Sequence, residues 1–408
     1  VRLDQVRAAL DRRLDPTSRA PVSVGFSGGG DSLFLLKTIL NWARPRGRPV
    51  LALVVDHQLQ PDSQVWTDQA VAKARALGAD ARALIWTGDK PRTGLPAAAR
   101  RARHGLLANA ARQAGARVLI LGHTASDLAE GAAMRAEGSS VSDPREWSPS
   151  PVWPEGRGIF LLRPLLSLTR ADIRDSLAQE GETWLEDPAN LDLRYARARA
   201  RASAPSASPA GLFEALPPPA FEIDAAGVIR LSRDVAPVHL AAALLCASGT
   251  ERPPRGERLA RLVERVRTGD AFTATLAGAR LEATSEILVC RDAGEVSRGG
   301  LARLNLAPRE LGVWDGRWEV AAGDLSAAIG PLKGQAARLG PQQRARLVTI
   351  AAAARPSLPL MMREGRDGPG ELMLDGPELA AEGEACARSL VLDRFKAAVG
   401  LFDQESVT

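Results

Sequence analysis

A doubly wound α/β fold, with a mainly parallel sheet followed by two smaller α+β domains, is the architecture predicted by this 408-residue sequence. Three observations carry the prediction. Strand-like and helix-like runs alternate from Val22 to about Leu177, a glycine bend joins the first strand directly to a helix, and an Ala/Ser/Pro-rich stretch from Arg199 to Pro219 breaks the pattern. A chain this long exceeds what one core usually fills, so the domains are placed at 1–202, 203–298 and 299–408.

Val1 to Leu14 spaces its apolar residues helically among charges and has no apolar core of a secretory signal. The pairs that follow are Val22–Phe26 with Ser32–Ala43, Val50–Val55 with Ser63–Leu77, Ala83–Trp86 with Leu95–Ala114, and Val118–Leu121 with Ser126–Ala136. Apolar runs of four to six residues between amphipathic helices mark strands covered on both faces. The second domain has helical stretches at Pro237–Ala247 and Glu257–Arg267, then strands around Ala271–Ala277 and Glu286–Arg291. The third opens on a strand-like Gly312–Val320 and continues with a helical Gln342–Ala354.

The bend itself reads Ser27, Gly28, Gly29, Gly30, Asp31, Ser32. Consecutive glycines reach backbone conformations closed to other residues, and no Cβ blocks a ligand from their N–H groups. The helix that follows points its positive end at the same place, so the segment suits a phosphate. It lacks the Gly-Lys-Ser/Thr ending of a Walker loop. A carboxylate at Asp31 would repel bare phosphate, and it makes sense as a ligand of phosphate-bound Mg2+.

Composition narrows the class. With 45% apolar and 25% charged residues the chain is globular, and a net charge of +5 suits a polyanionic partner. No apolar run is long enough to span a membrane, and Cys246, Cys290 and Cys386 are too dispersed for a disulfide framework or a Cys-x-x-Cys metal site. A reducing cytoplasm is the expected location.

In a parallel sheet ligands gather at the carboxyl ends of strands, so Ser27, the Asp56-His57 pair and His123 are expected at one crevice. Each histidine is open to two readings, a nucleotide contact or a loop residue bonding its own backbone. Asp127 and Glu130 share a face at a helix start, as caps or as groups that hold Mg2+ or a reacting base. Arg100 and Arg103 fall on one side of a helix. Arg197, Arg199 and Arg201 alternate in an extended stretch, and both arrays suit phosphates or a solvated basic face.

The Ser-Gly-Gly-Gly-Asp-Ser loop resembles that of the PP-loop ATP pyrophosphatases, with their adenine nucleotide α-hydrolase-like fold. Within that superfamily the order of clusters resembles the tRNA(Ile)-lysidine synthetases over about residues 20 to 201. The match rests on the loop, Val55-Asp56-His57-x-Leu59, Ala98-Ala99-Arg100-x-x-Arg103, Gly122-His123-Thr124-x-x-Asp127-x-x-Glu130, Arg163-Pro164-Leu165-Leu166, and Asp187-Pro188-x-Asn190 before the arginine ladder. The resemblance implies that ATP adenylates the C2 oxygen of the wobble cytidine of tRNA(Ile) with a CAU anticodon, and that L-lysine then displaces AMP. It implies catalytic roles for Asp31, Asp127, Glu130 and Arg103, with Asp31 holding the metal. ATP contacts fall to Ser27, Gly28, Gly29, Gly30, Asp31, Ser32, His57 and His123, and tRNA contacts to Arg100, Arg197, Arg199 and Arg201.

The chain departs from the family pattern at Ser126, Leu128 and Gly131, where an acid, Gln and Thr are usual, and at Ala198, often Asn. Two further readings therefore stay open, a catalytically impaired tRNA-binding PP-loop protein and another PP-loop adenylating ligase. Thiolation chemistry would need cysteines near the loop, and none precedes Cys246. The sequence leaves a homodimer open.

Overall fold

A computed structural model describes residues 3–138, 143–186, 216–363, 370–374 and 383–405. The chain forms two compact units, Val1–Ala215 with Phe402–Thr408, and Leu216–Leu401.

The first unit is built on six strands, β1 Val22–Gly25, β2 Val50–Asp56, β3 Asp80–Ile85, β4 Val118–Leu121, β5 Trp147–Pro149 and β6 Phe160–Leu162, in the order β3-β2-β1-β4-β6-β5. All neighbours are parallel except β5 against β6. The helices are α1 Leu3–Arg13, α2 Gly30–Ala43, α3 Ser63–Ala76, α4 Leu95–Gln113, α5 Ala125–Ala136 and α6 Arg170–Gln179. Alternation along the strands divides the core. Val22, Val24, Ala52, Val54 and Ile120 pack with Leu33, Leu36 and Ile173 on one face, while Leu51, Leu53, Leu119 and Leu121 pack with Leu107 and Ala111 of α4 on the other. With both faces covered, the central strands read as continuous apolar runs.

The chain steps from β1 outward to β2 and β3, then crosses back to place β4 on the other side of β1. The order therefore puts a switch point between β1 and β4, and sheets of this class bind ligands at the strands' carboxyl ends there. Strands β5 and β6 had no counterpart among the sequence-derived elements, because three-residue strands leave almost no periodic signal. The 80–85 strand starts ahead of the expected Ala83, since Asp80 and Arg82 on this sheet edge interrupt the apolar pattern.

The second unit is antiparallel. One sheet orders Phe221–Ile223, Ile229–Leu231, Ile287–Arg291, Ala279–Ala283 and Phe272–Leu276, with helices Pro237–Ser248 and Glu257–Arg267 in the same core. The two strands expected here are thus five. A four-stranded and a three-stranded sheet share a second core around Trp314, Trp318 and Leu360. The single strand expected over Gly312–Val320 is a hairpin, Leu311–Trp314 with Trp318–Ala321. Asp315 and Gly316 carry φ of 51° and 64°, the left-handed pair that a tight hairpin turn requires. The helix expected to reach Ala354 spans Pro341–Val348. Cys246 and Cys290 are buried and pushed up to about 12 by desolvation, as expected of core thiols.

Candidate active site

The glycine bend leaves the buried strand β1 and turns into α2 within five residues, Phe26 to Gly30. Gly28 has φ +79°, and Gly29 caps α2 in an extended conformation. Hydroxyls tie the bend internally. Ser27 N–H donates to Ser32 Oγ at 3.2 Å, the two hydroxyls lie 3.1 Å apart, and Ser32 Oγ donates to the Gly29 carbonyl at 2.9 Å. The first-turn N–H groups of α2 have no acceptor within the helix, and with the helix dipole they suit an anion. Across the switch point, a Cβ on Gly122 would stand 3.2 Å from the Asp31 carbonyl oxygen. A side chain there would require the β4 loop and the start of α2 to move apart by a few tenths of an ångström.

Three carboxylates meet beside the bend, all on the guanidinium of Arg170. Its Nε lies 3.2 Å from Asp31 Oδ2, its Nη1 3.0 Å from Glu130 Oε1, and its Nη2 3.6 Å from Asp127 Oδ1. Burial raises the Asp31 carboxyl above its usual range, with Asp127 adding to the shift and Arg170 opposing it. For Arg170 burial works downward, but Asp127, Asp31 and Glu130 outweigh it and raise the guanidinium.

Local sequence sets this geometry. Helices α5 and α6 both begin with a Thr-x-x-Asp box. The Asp127 carboxylate accepts from the Thr124 N–H at 2.8 Å, and Asp172 from the Thr169 N–H at 3.2 Å. The two starts are stapled together, since Ala125 N–H donates to the Leu168 carbonyl at 2.8 Å and Arg170 N–H to Ser126 Oγ at 3.2 Å. Asp127 is therefore a cap through one oxygen and a site group through the other. Glu130, one turn further on, is 2% exposed on its side chain.

Asp31 Oδ1 is buried and has no hydrogen-bond partner among the described residues. An oxygen of this kind fits Mg2+, which takes one or two protein carboxylates and completes its shell with water and substrate phosphate. No group of three or more His, Cys, Asp or Glu side chains that could hold a metal occurs among the described residues. A metal carried mainly by nucleotide needs no such group.

A cationic cluster gathers around His104 of α4. Burial, then Arg103, Arg100, Arg163 and His123 in turn, push that imidazole down to about 2. Arg163, immediately after β6, is buried and lowered to about 10 by desolvation and by Arg100. Its Nη1 donates to the Arg145 carbonyl at 2.7 Å and to Ser148 Oγ at 3.1 Å. Arg100 and Arg103 of α4 and His123 of the β4 loop thus all act on the one imidazole. His57 stands edge-on to Trp86 at 6.3 Å between ring centroids, at the ends of β2 and β3. Arg197, Arg199 and Arg201, with the Asp187-Pro188 turn, lie outside the described residues.

Sequence reasoning gave no role to Arg170, Arg163 or the Trp184-Leu185 segment. The Thr169-x-x-Asp172 box was the available signal for Arg170, since it fixes that residue in the first turn of a helix.

The parallel sheet, the glycine bend at its switch point and the acidic cluster together define a PP-loop nucleotide-using protein, and residues 3–205 match the PP-loop domain family. A tRNA(Ile)-lysidine synthase of Caulobacter vibrioides is 73% identical over 408 residues, covering 100% of both chains. That of Hyphomonas neptunium is 36% identical, covering 73% of this chain and 87% of its own. The chain belongs to the tRNA(Ile)-lysidine synthase family. Among solved structures, the U34-tRNA thiolase NcsA from Methanococcus maripaludis is similar at 15% identity and a TM-score of 0.40, over 49% of this chain and 71% of that one.

Proposed function

We propose that the protein uses ATP to join L-lysine to C2 of the wobble cytidine of tRNA(Ile) with a CAU anticodon, giving lysidine, AMP and pyrophosphate. The cytidine C2 oxygen attacks the α-phosphorus, and the bond to pyrophosphate breaks. The lysine ε-nitrogen then attacks C2, the C2–O bond breaks, and AMP leaves with the oxygen. The observation that carries this reading is the convergence of Asp31, Asp127 and Glu130 beside an amide-lined bend at the sheet's switch point.

Each step makes a demand that these side chains suit. Ser27 to Ser32 would seat the triphosphate through backbone N–H groups that need no reorganisation as charge develops. Asp31 would hold Mg2+, which supplies charge neutralisation on the phosphates. Asp127 and Glu130 match an ammonium that must be bound and then lose a proton before it can attack. Arg103 and Arg100, with Arg197, Arg199 and Arg201, suit the phosphates of tRNA or adenylate. His57 and His123 end two strands flanking β1 and suit nucleotide contacts. The 203–298 and 299–408 domains would grip the tRNA body. No helix among the described residues is long and apolar enough to cross a membrane, and work on tRNA fits the cytoplasm.

Incubation with radiolabelled lysine, ATP, Mg2+ and tRNA bearing a CAU anticodon tests the proposal. Label is expected on that tRNA and on none whose wobble base is uridine. Tight tRNA binding with no label transfer would replace this reading with a binding protein.

A further inference from the structure

Arg170 touches all three candidate acids, and each contact leaves from a different nitrogen. A lysine ammonium is a point charge and cannot span such an arrangement, whereas the planar fork of arginine presents fixed, divergent donors. The guanidinium is mostly buried, with its side chain 17% exposed, so these contacts are little screened by solvent. Its backbone is equally constrained, held by the Thr169–Asp172 box and by Ser126 across the two helix starts.

The partners belong to different halves of the site. Asp31 lies in the first turn of α2, next to the phosphate seat, while Asp127 and Glu130 lie on α5 beyond β4. Acids from these two places converge on one guanidinium. An arginine present only to neutralise acids would need no contact with every one of them.

We infer that Arg170 is a positioning residue that yokes the phosphate-side carboxylate Asp31 to the acceptor-side carboxylates Asp127 and Glu130, holding the nucleotide and lysine halves of the site in register. The inference rests on the lysine-ligating reading above. Losing Arg170 then harms activation and lysine use together. A purely architectural arginine, when lost, lowers the active fraction, which reduces kcat and leaves the KM for lysine unchanged.

The test uses the full chain with Arg170→Gln and Arg170→Lys, each checked for an intact fold by its thermal unfolding midpoint. Two rates are measured: pyrophosphate release with tRNA and no lysine, and lysine transfer as a function of lysine concentration. For Arg170→Gln, pyrophosphate release is expected to fall and the KM for lysine to rise, each by at least about tenfold, the scale of losing a charge-assisted hydrogen bond. Arg170→Lys keeps the charge without the fork, so its KM for lysine is expected to stay raised. That variant also decides the matter if Arg170→Gln does not fold. Lysine restoring both quantities to wild-type values, either quantity unchanged in Arg170→Gln, or a loss confined to kcat would overturn the yoke. Wild-type protein run in parallel separates the two ideas. A wild type that transfers no lysine overturns the function on which the yoke rests, whereas an active wild type matched by Arg170→Lys overturns the yoke alone.

Discussion

Leu185 closes over Gly28. Its N–H donates to the Gly28 carbonyl at 3.0 Å, and its Cδ1 stands 2.6 Å from where a Cβ on Gly28 would be. Trp184 lies over Gly30 at ordinary packing distance, with ring atoms 3.6 Å from the corresponding Cβ position. Trp184 and Leu185 thus pack on the glycine bend, which ties the segment after α6 to the loop after β1.

Gly28→Ala adds a Cβ at φ +79° and drives it into Leu185. A non-glycine residue held in such a region costs about 1–3 kcal/mol. Urea unfolding should read that loss, and calorimetric titration should show weakened ATP binding. A variant with wild-type ATP affinity would remove the bend from the nucleotide site.

Asp31→Asn keeps the shape of the site and removes the carboxylate assigned to the metal. Pyrophosphate release should fall by at least about a hundredfold, the scale of losing a preorganised electrostatic group. The affinity for tRNA should persist and decline steeply with salt, because phosphate contacts release counterions. Unchanged pyrophosphate release would take Asp31 out of the mechanism.

His104 sets a pH dependence of stability. Its native pKa lies near 2 and its ordinary value is 6.5, so the unfolded chain binds the extra proton. The contribution is whole above about pH 6.5 and is lost as pH falls toward the native value, by up to about 1.4 kcal/mol per pH unit. The groups facing it, Arg103, Arg100, Arg163 and His123, are cationic or become so on protonation, and they reinforce the sign. His104→Gln should flatten the acid limb of a stability curve built from urea midpoints. An unaltered limb would contradict the assignment.

The glycine bend was legible in the sequence because it is local. Its glycines, hydroxyls and acid are consecutive, and the strand before and helix after them announce themselves by period. The strand ends that approach it followed from the alternation of elements. The acid–arginine hub was not legible, since Arg170 meets Asp31 across 139 residues and Glu130 across 40, and no period or spacing encodes such a meeting. Asp127 was open to two readings because its two oxygens do two things. The Asp315-Gly316 turn was not read from the sequence, because the aromatic and β-branched residues on either side read as one strand.

Glu405 buries its carboxylate against Arg48, with side chains 1% and 0% exposed, and also accepts from the Asp15 N–H at 3.0 Å. The Phe402 carbonyl accepts from Trp147 Nε1 at 2.8 Å, so residues late in the chain complete the first unit. Glu405→Ala leaves the buried Arg48 guanidinium with the Ala20 and Asp15 carbonyls but no counter-charge from Glu405, and should cost about 3–5 kcal/mol. Chemical denaturation measures it, and a loss below about 1 kcal/mol, the range of exposed pairs, would show that Arg48 finds other partners.

The most direct measurement is a crystal structure of the protein with Mg2+ and a non-hydrolysable ATP analogue. The triphosphate is expected against the N–H groups of Gly28 to Ser32, with the metal in contact with Asp31. Triphosphate bound elsewhere, or a metal that Asp31 does not touch, would contradict that expectation.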